Sequence, residues 1–322
     1  MLNTKVLITG GLGFIGTSLA IELKGRGYEV LCLDLDKEPS HLTKVRISAL
    51  EEIGVKIALG DVRNPVLVRS MMSEFEGGQV FHLAALAGVR PSFSFANDYF
   101  ETNVQGALNV VREADAANVK RVFLASSSSV YGEAGLNASE DYRIDLPLSP
   151  YAASKSSMEM AVRSLQPTLS ASTCVLRFFT VFGPMGRPDM AVWRFTKAIM
   201  EGRPVLVYGD GTDKRDFTPV ASLVQKMALL SAMEGQLPQA INLGNSAPVS
   251  VRELVSTLGQ HLGIEPEIEF GDRQNGDVTA TCSSLELQES LGLLAVSEDF
   301  DTGIRSWVNW AIAHDSLIRG SD

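Results

Sequence analysis

Three groups of residues in this 322-residue chain have the types and spacing to do chemistry. The first is Gly10-Gly11-Leu12-Gly13-Phe14-Ile15-Gly16, which follows the apolar run Lys5–Thr9 and opens the helical pattern Phe14–Lys24. Glycines so spaced allow a tight turn, close approach of backbone to a pyrophosphate and close helix–strand packing. The helix that follows aims its unpaired N–H groups at an anion. Asp34 stands 18 positions after Gly16, at the end of the second strand. An acid there accepts hydrogen bonds from ribose hydroxyls and repels a 2′-phosphate, so Gly10, Gly13, Phe14, Ile15, Gly16 and Asp34 read as a site for NAD rather than NADP. Leu35 and Asp36 come next, and Lys37 is the nearest cation. Asp61 and Val62, just past the third strand, sit where the adenine would lie; an ordinary strand end is the other reading.

The second group is Ser149-Pro150-Tyr151-Ala152-Ala153-Ser154-Lys155. Ser149 is suited to cap a helix and Pro150 to its first position, which puts Tyr151 and Lys155 on one face, a turn apart. A free tyrosine has a pKa near ~10; an adjacent ammonium and a helix N-terminus both favour its phenolate. The pair is therefore a proton-transfer device. The third group, Ser126-Ser127-Ser128-Ser129, ends the fifth strand, and in an open α/β sheet ligands bind beyond the carboxyl ends of the strands. These hydroxyls are placed to meet a substrate alcohol. No GxSxG is present, which argues against a serine nucleophile.

The elements that must carry these groups follow from alternation. Lys5–Thr9, Tyr28–Leu33, Val55–Leu59, Val80–Leu83, Arg121–Ala125 and Thr173–Phe178 read as short buried strands, separated by amphipathic stretches such as Phe14–Lys24 and Tyr99–Ala117. This specifies the α/β class, with a doubly wound parallel sheet covered by helices on both faces. After Phe178 the alternation breaks at a Gly/Pro-rich stretch, and the strand Ala240–Leu243 rejoins the sheet. Two interleaved domains are expected, 1–178 with 217–246 and 179–216 with 247–322.

Composition closes off other classes. With 28 Lys+Arg against 38 Asp+Glu the net charge is −10, the wrong sign for a nucleic-acid binder. No apolar run reaches the roughly 18 residues of a membrane span, and Met1 to Thr9 lacks a signal peptide's basic start, so a cytoplasmic protein is expected. Cys32, Cys174 and Cys282 are widely separated and the four histidines scattered, giving no metal site.

The Gly-rich loop, Leu83-Ala84-Ala85, Asn103, the serines before Val130-Tyr131-Gly132, and Tyr151 with Lys155 together resemble the extended short-chain dehydrogenase/reductase superfamily. Ala87-Gly88-Val89-Arg90-Pro91-Ser92 and the run from Arg177 to Ala191 are similar to UDP-glucuronate 4-epimerases. The resemblance implies a Rossmann-type fold with a smaller α/β substrate domain, a tightly bound NAD+ also touched by Leu83, Ala84 and Ala85, a UDP-sugar substrate and a homodimer formed through the helices of Tyr99–Ala117 and Ser149 onward. It implies an isomerase in which Tyr151 is the base, Lys155 holds the nicotinamide ribose and lowers the Tyr151 pKa, and Ser127 partners the C4 hydroxyl. Thr180 and Arg187 then grip a hexuronate carboxylate, and Arg215 meets the UDP diphosphate. Ser128 and Ser129 line the sugar pocket, and Arg90 lines it or shapes its loop; Arg273 is a phosphate contact or a solvated surface arginine. Decarboxylases and dehydratases of the superfamily carry a carboxylic acid where this chain has Ser128 and Ser129, which favours epimerisation over the alternatives, a UDP-glucuronate decarboxylase or a neutral UDP-sugar epimerase. A non-catalytic NAD sensor would be expected to lose Tyr151 or Lys155. The chain departs from the family pattern at Pro219-Val220-Ala221-Ser222, at Phe95-Ala96 and around Gln274-Asn275-Gly276-Asp277.

Overall fold

The computed structural model describes residues 4–35, 38–133, 137–273 and 278–320; Asp36, Lys37 and the 274–277 stretch lie outside them. The chain divides into two compact units. Unit 1 comprises Met1–Gly132, Glu140–Phe178 and Val224–Ile241; unit 2 comprises Glu133–Ser139, Phe179–Leu223 and Asn242–Asp322.

In chain order, unit 1 opens with β1 (Lys5–Thr9), α1 (Phe14–Gly25), β2 (Glu29–Asp34), α2 (His41–Glu52), β3 (Lys56–Leu59), α3 (Pro65–Met72) and β4 (Gln79–His82). Two short helices, α4 (Val89–Ser92) and α5 (Ala96–Phe100), precede α6 (Gly106–Ala116), β5 (Arg121–Ser127), α7 (Pro150–Leu165) and β6 (Ser172–Phe178). Unit 2 holds β7 (Thr180–Phe182), α8 (Ala191–Met200), β8 (Val205–Tyr208) and β9 (Lys214–Pro219). Most of α9 (Val220–Ala232) and the first half of β10 (Ala240–Leu243) return to unit 1, and β11 (Pro248–Ser250), α10 (Val251–Leu262), β12 (Ile268–Gly271), α11 (Glu286–Ser290), α12 (Phe300–Ala313) and α13 (Asp315–Gly320) follow.

The large sheet has the order β10-β6-β5-β4-β1-β2-β3, with β1 parallel to both β2 and β4. The winding runs outward from β1 to β3, then jumps back across β1 to β4 and reverses. A crevice therefore opens between the ends of β1 and β4, the place where such sheets take ligands. Its central strands β1 and β4 are almost continuously buried because helices cover both faces. Leu7, Val80, Val122 and Leu124 pack on one face against Val110 and Val111 of α6 and Met158 of α7. Phe81 and Phe123 stack at 4.5 Å between ring centroids.

Two expectations need correction. Residues 217–223 and 242–246, expected with the first domain, fall in unit 2; β9 pairs there with β7 and β11 in a separate three-stranded sheet, while β10 remains an edge strand of the large sheet. The helix expected over Tyr99–Ala117 is interrupted by a π turn at Glu101–Gln105 between α5 and α6. There the buried Asn103 turns inward: its Oδ1 accepts the Leu86 N–H at 2.8 Å, and its Nδ2 donates to the Leu86 carbonyl and the Ser154 hydroxyl. A π turn adds a residue to the helix and so re-aims one side chain, here toward the loop after β4 and toward α7.

α7 begins as its sequence specifies. Ser149 has extended backbone and its Oγ accepts the Ala152 N–H at 3.1 Å, with Pro150 in the first turn. Ser149→Ala should cost about 1 kcal/mol of stability, measurable as a lowered urea midpoint with unchanged slope. An unaltered midpoint would mean that the cap contributes nothing to holding the start of α7.

Candidate active site

The Gly-rich turn is built by exclusion. Gly10 has φ +73°, and a Cβ on it would stand 2.6 Å from the Ala84 nitrogen. A Cβ on Gly16 would stand 2.1 Å from the Gly10 carbonyl oxygen, so only glycine lets α1 rest on the turn. Gly10 N–H donates to the Leu33 carbonyl and Thr17 N–H to the Gly13 carbonyl, both within 2.9 Å. Asp34 closes the turn from the side: its Oδ2 accepts the Leu12 N–H at 2.9 Å and its Oδ1 accepts the Leu35 N–H at 2.7 Å. Beside it, burial and the Asp34 charge push the Cys32 thiol up to about 12, leaving it protonated and inert.

A groove of about 540 Å³ lies against this turn, lined by Gly10, Gly13, Asp34, Asp61, Val62, Leu83, Ala84 and Ala85 among others. Phe14 and Ile15 stand in the first turn of α1, Phe14 buried and Ile15 half-buried. The groove has the donors and the shape for a dinucleotide: open backbone at Gly13, where a Cβ would meet nothing but the Gly10 oxygen at 3.1 Å, a helix N-terminus, and an acid at the far end of β2. The Asp61 carboxylate is bridged to the Arg63 guanidinium at 2.7 Å, so its charge is largely neutralised where it borders the groove.

Beyond β4, His82 Nδ1 lies 2.7 Å from the Thr9 hydroxyl, and its Nε2 is buried with no hydrogen-bond partner. Burial, with the Lys155 charge adding to it, takes the imidazole down to about 3, so it is neutral. Lys155 is itself buried and donates from Nζ to the Ala125 carbonyl at 2.7 Å. Burial lowers its ammonium to about 8, with Glu159 opposing. Tyr151, one turn earlier and half-buried, meets Tyr99 edge to face at 6.2 Å, and the Tyr99 hydroxyl donates to the carbonyls of Ala87 and Gly88.

Ser127 ends β5. Its Oγ accepts both the Ser129 N–H at 3.1 Å and the Ser129 hydroxyl at 2.9 Å, which leaves the Ser127 proton to be donated elsewhere. Ser128 is half-buried in the 3₁₀ turn that follows, and Arg90 is exposed on α4. Unit 1 thus brings together the turn, Asp34, Leu83–Ala85, Ser127–Ser129, Tyr151 and Lys155 at the carboxyl ends of its strands.

The other expected residues are in unit 2. Thr180 opens β7 opposite Phe217, and Arg215 is half-buried on β9, donating to the Lys214 carbonyl. Arg187 binds Asp189 with two parallel bonds, Nε at 3.0 Å and Nη2 at 2.6 Å. Arg273 is paired with Asp213 at 2.6 Å. Trp193 is core, packed with Trp307 and Trp310, and Phe217 is buried against Phe182 and Phe300.

Residues 6–244 match the NAD dependent epimerase/dehydratase family. The chain belongs to this family. UDP-glucuronate 4-epimerase 4 of Arabidopsis thaliana is 35% identical over a match covering 97% of this chain and 76% of that protein. Two solved structures superpose on nearly all of it. MoeE5 in complex with UDP-glucuronic acid and NAD gives a TM-score of 0.86 at 33% identity, covering 96% of this chain and 99% of that one. UDP-glucuronic acid 4-epimerase from Bacillus cereus, also with UDP-glucuronic acid and NAD, gives 0.88 at 28%, covering 97% and 100%.

As an NAD-dependent epimerase/dehydratase, the protein uses NAD. Several residues that organise this site were not singled out from sequence. His82 and Glu159 have no motif spacing of their own, although Glu159 falls one turn past Lys155 and Arg177 is a charge in an otherwise apolar strand. In unit 2, Asp216 is fully buried and its carboxylate accepts the N–H groups of Asn245, Ser246 and Ser283 and the Ser283 hydroxyl, which pins the strand carrying Arg215.

Gly16→Ala should leave the purified protein with about a tenth or less of the wild-type NAD content, because the Cβ collides with backbone under the pyrophosphate turn; normal NAD content would contradict the assignment of the turn. Lys155 also imposes a pH dependence. The unfolded chain keeps this proton to about pH 10.4, whereas the folded protein releases it near 8. Unfolding takes up a proton between those values, so the stability conferred by this group rises with pH across that window and is lost as pH falls through 8. The stability difference between wild type and Lys155→Met should therefore move in favour of wild type from about pH 7 to about pH 10; a flat difference would show the ammonium to be unperturbed.

Proposed function

We propose that this protein is a UDP-glucuronate 4-epimerase, converting UDP-glucuronate to UDP-galacturonate through a transient 4-keto sugar with the carboxylate retained. The observation that carries the reading is Lys155, buried one turn below Tyr151 at the sheet edge where Ser127 presents its proton. Relatives that are named for this activity support it.

Lys155 and the α7 N-terminus favour the Tyr151 phenolate, which takes the C4 hydroxyl proton. Ser127, with its acceptor positions filled by Ser129, donates to the same oxygen and orients it. NAD, when bound beside the Gly-rich turn, would supply the hydride acceptor and donor for C4. Rotation of the keto sugar presents its other face, and Tyr151 gives the proton back with C4 inverted. A carboxylate β to the ketone is prone to leave as carbon dioxide. Thr180 and Arg187 hold it out of the alignment that cleavage needs; the fork that Arg187 makes with Asp189 is the bidentate geometry a hexuronate carboxylate takes. Ser128 and Ser129 supply no acid or base for chemistry at C5, which favours epimerisation over decarboxylation.

In the same reading Arg215 meets the diphosphate, Arg90 lines the sugar pocket or shapes its loop, and Arg273, paired with Asp213 at 2.6 Å, is read as a surface arginine. The protein works as a cytosolic homodimer through the α5–α6 segment and α7, which carry the exposed apolar side chains Phe100 and Met160. Among the described residues no helix is long and apolar enough to cross a membrane.

Proton NMR of the purified protein with UDP-glucuronate and no added NAD should show UDP-galacturonate appear with no pentose. A pentose product would make it a decarboxylase, and no conversion even after NAD is supplied would overturn the assignment to this sugar. Tyr151→Phe should lower kcat by about 10²–10⁴-fold with NAD content unchanged, whereas a non-catalytic NAD binder would be indifferent to the change.

A further inference from the structure

Glu159 and Arg177 form an ion pair at 2.7 Å with 6% of each side chain exposed, and no step assigned above uses either. Glu159 lies on α7 one turn beyond Lys155 and two beyond Tyr151. Its Oε1 accepts the Ser126 hydroxyl, and both its oxygens accept from the Arg177 guanidinium. Arg177 sits on β6 in register with Ser126 on β5. Its Nη1 donates to the Tyr131 hydroxyl and the Glu140 carbonyl, both at 2.8 Å, and its guanidinium lies 5.0 Å from the centre of the Tyr131 ring.

Buried ion pairs add little net stability, since packed apolar residues of similar volume often serve as well or better. The pair's connections point to another role. They tie the helix bearing Tyr151 and Lys155 to the strand end bearing Ser127, and to the 3₁₀ turn that follows it. We propose that the Glu159–Arg177 pair is the positioning device of the reaction centre, fixing α7 against the end of β5 and balancing the Lys155 charge with a buried carboxylate. This rests on the reading of Tyr151 and Lys155 as the proton-transfer pair.

The groups around Lys155 are Tyr151 and Glu159 on its own helix, His82 at the end of β4, Arg177 on β6, Tyr131 after β5, and Tyr99 on α5 against Tyr151. His82 is neutral, and Glu159 opposes the effect of burial on Lys155. The two partners therefore act on the centre with opposite signs. Glu159→Gln leaves the Arg177 charge unbalanced, so Tyr151 and Lys155 lose their protons at lower pH. Arg177→Met leaves the carboxylate unbalanced and moves both losses to higher pH.

Ultraviolet difference titration of the Tyr151 phenolate, in full-length NAD-loaded protein with Tyr151→Phe as blank, reads this without any sugar substrate. Failure of the epimerase reading and failure of this one are thereby distinguishable. The expected result is a shift of about one pH unit down for Glu159→Gln and up for Arg177→Met. Shifts in the same direction, or none, would overturn the proposal. The double variant Glu159→Gln/Arg177→Met removes both members of the pair together, so neither is left without the other, and it remains testable if either single variant fails to fold. It should epimerise with kcat lowered about tenfold or more and KM within about twofold of wild type, and a wild-type kcat would overturn the proposal. Glu159→Asp keeps the charge but withdraws the carboxylate, so it should leave the titration near wild type while lowering kcat; an unchanged kcat would contradict the positioning role.

Discussion

An ammonium group enters a protein interior only where an oxygen receives it, and here the Ala125 carbonyl receives Lys155 at 2.7 Å. The rest of the reaction centre depends on that contact. It sets α7 over the end of β5, which places Tyr151 one turn nearer the helix start and brings Ser127 to the same edge. The same burial makes the charge expensive enough to be used: a desolvated ammonium gains more from a neighbouring phenolate than a solvated one would. The arrangement is held from three directions, by the Ser149 cap, by Asn103 gripping Ser154 and the Leu86 backbone, and by Glu159 gripping Ser126 and Arg177.

The cofactor side obeys a different constraint, the absence of side-chain atoms. Gly10 and Gly16 approach backbone so closely that no Cβ fits. The Asp34 carboxylate, by accepting the Leu12 N–H, braces the turn whose shape the pyrophosphate needs. In unit 2 the corresponding anchor is the buried Asp216, saturated with backbone and hydroxyl donors beside Arg215.

The sheet and the Gly-rich turn were legible because their signals are local: strand alternation, glycine spacing, and a Ser-Pro start that could only begin a helix. All seven strands of the large sheet lie within two residues of their expected ends at both termini. The π turn at Glu101–Gln105 was not legible, because its cause is tertiary: the Asn103 side chain bonds to a loop 17 residues away in sequence. The Glu159–Arg177 pair was hidden for the same reason, since helix spacing shows Glu159 beside Lys155 but not the strand opposite. The domain boundary near β9 was misplaced because a short strand does not announce which sheet it joins. Arg187, read as a carboxylate clamp, is met here by Asp189 two residues on, a partner its own loop supplies.

The central claim is that C4 is inverted by removal and return of the same hydrogen inside a closed site. The most direct test is to follow UDP-glucuronate deuterated at C4 through turnover in ordinary water. The account predicts UDP-galacturonate that keeps its deuterium at C4 with inverted configuration. Loss of the label to solvent during turnover would contradict it.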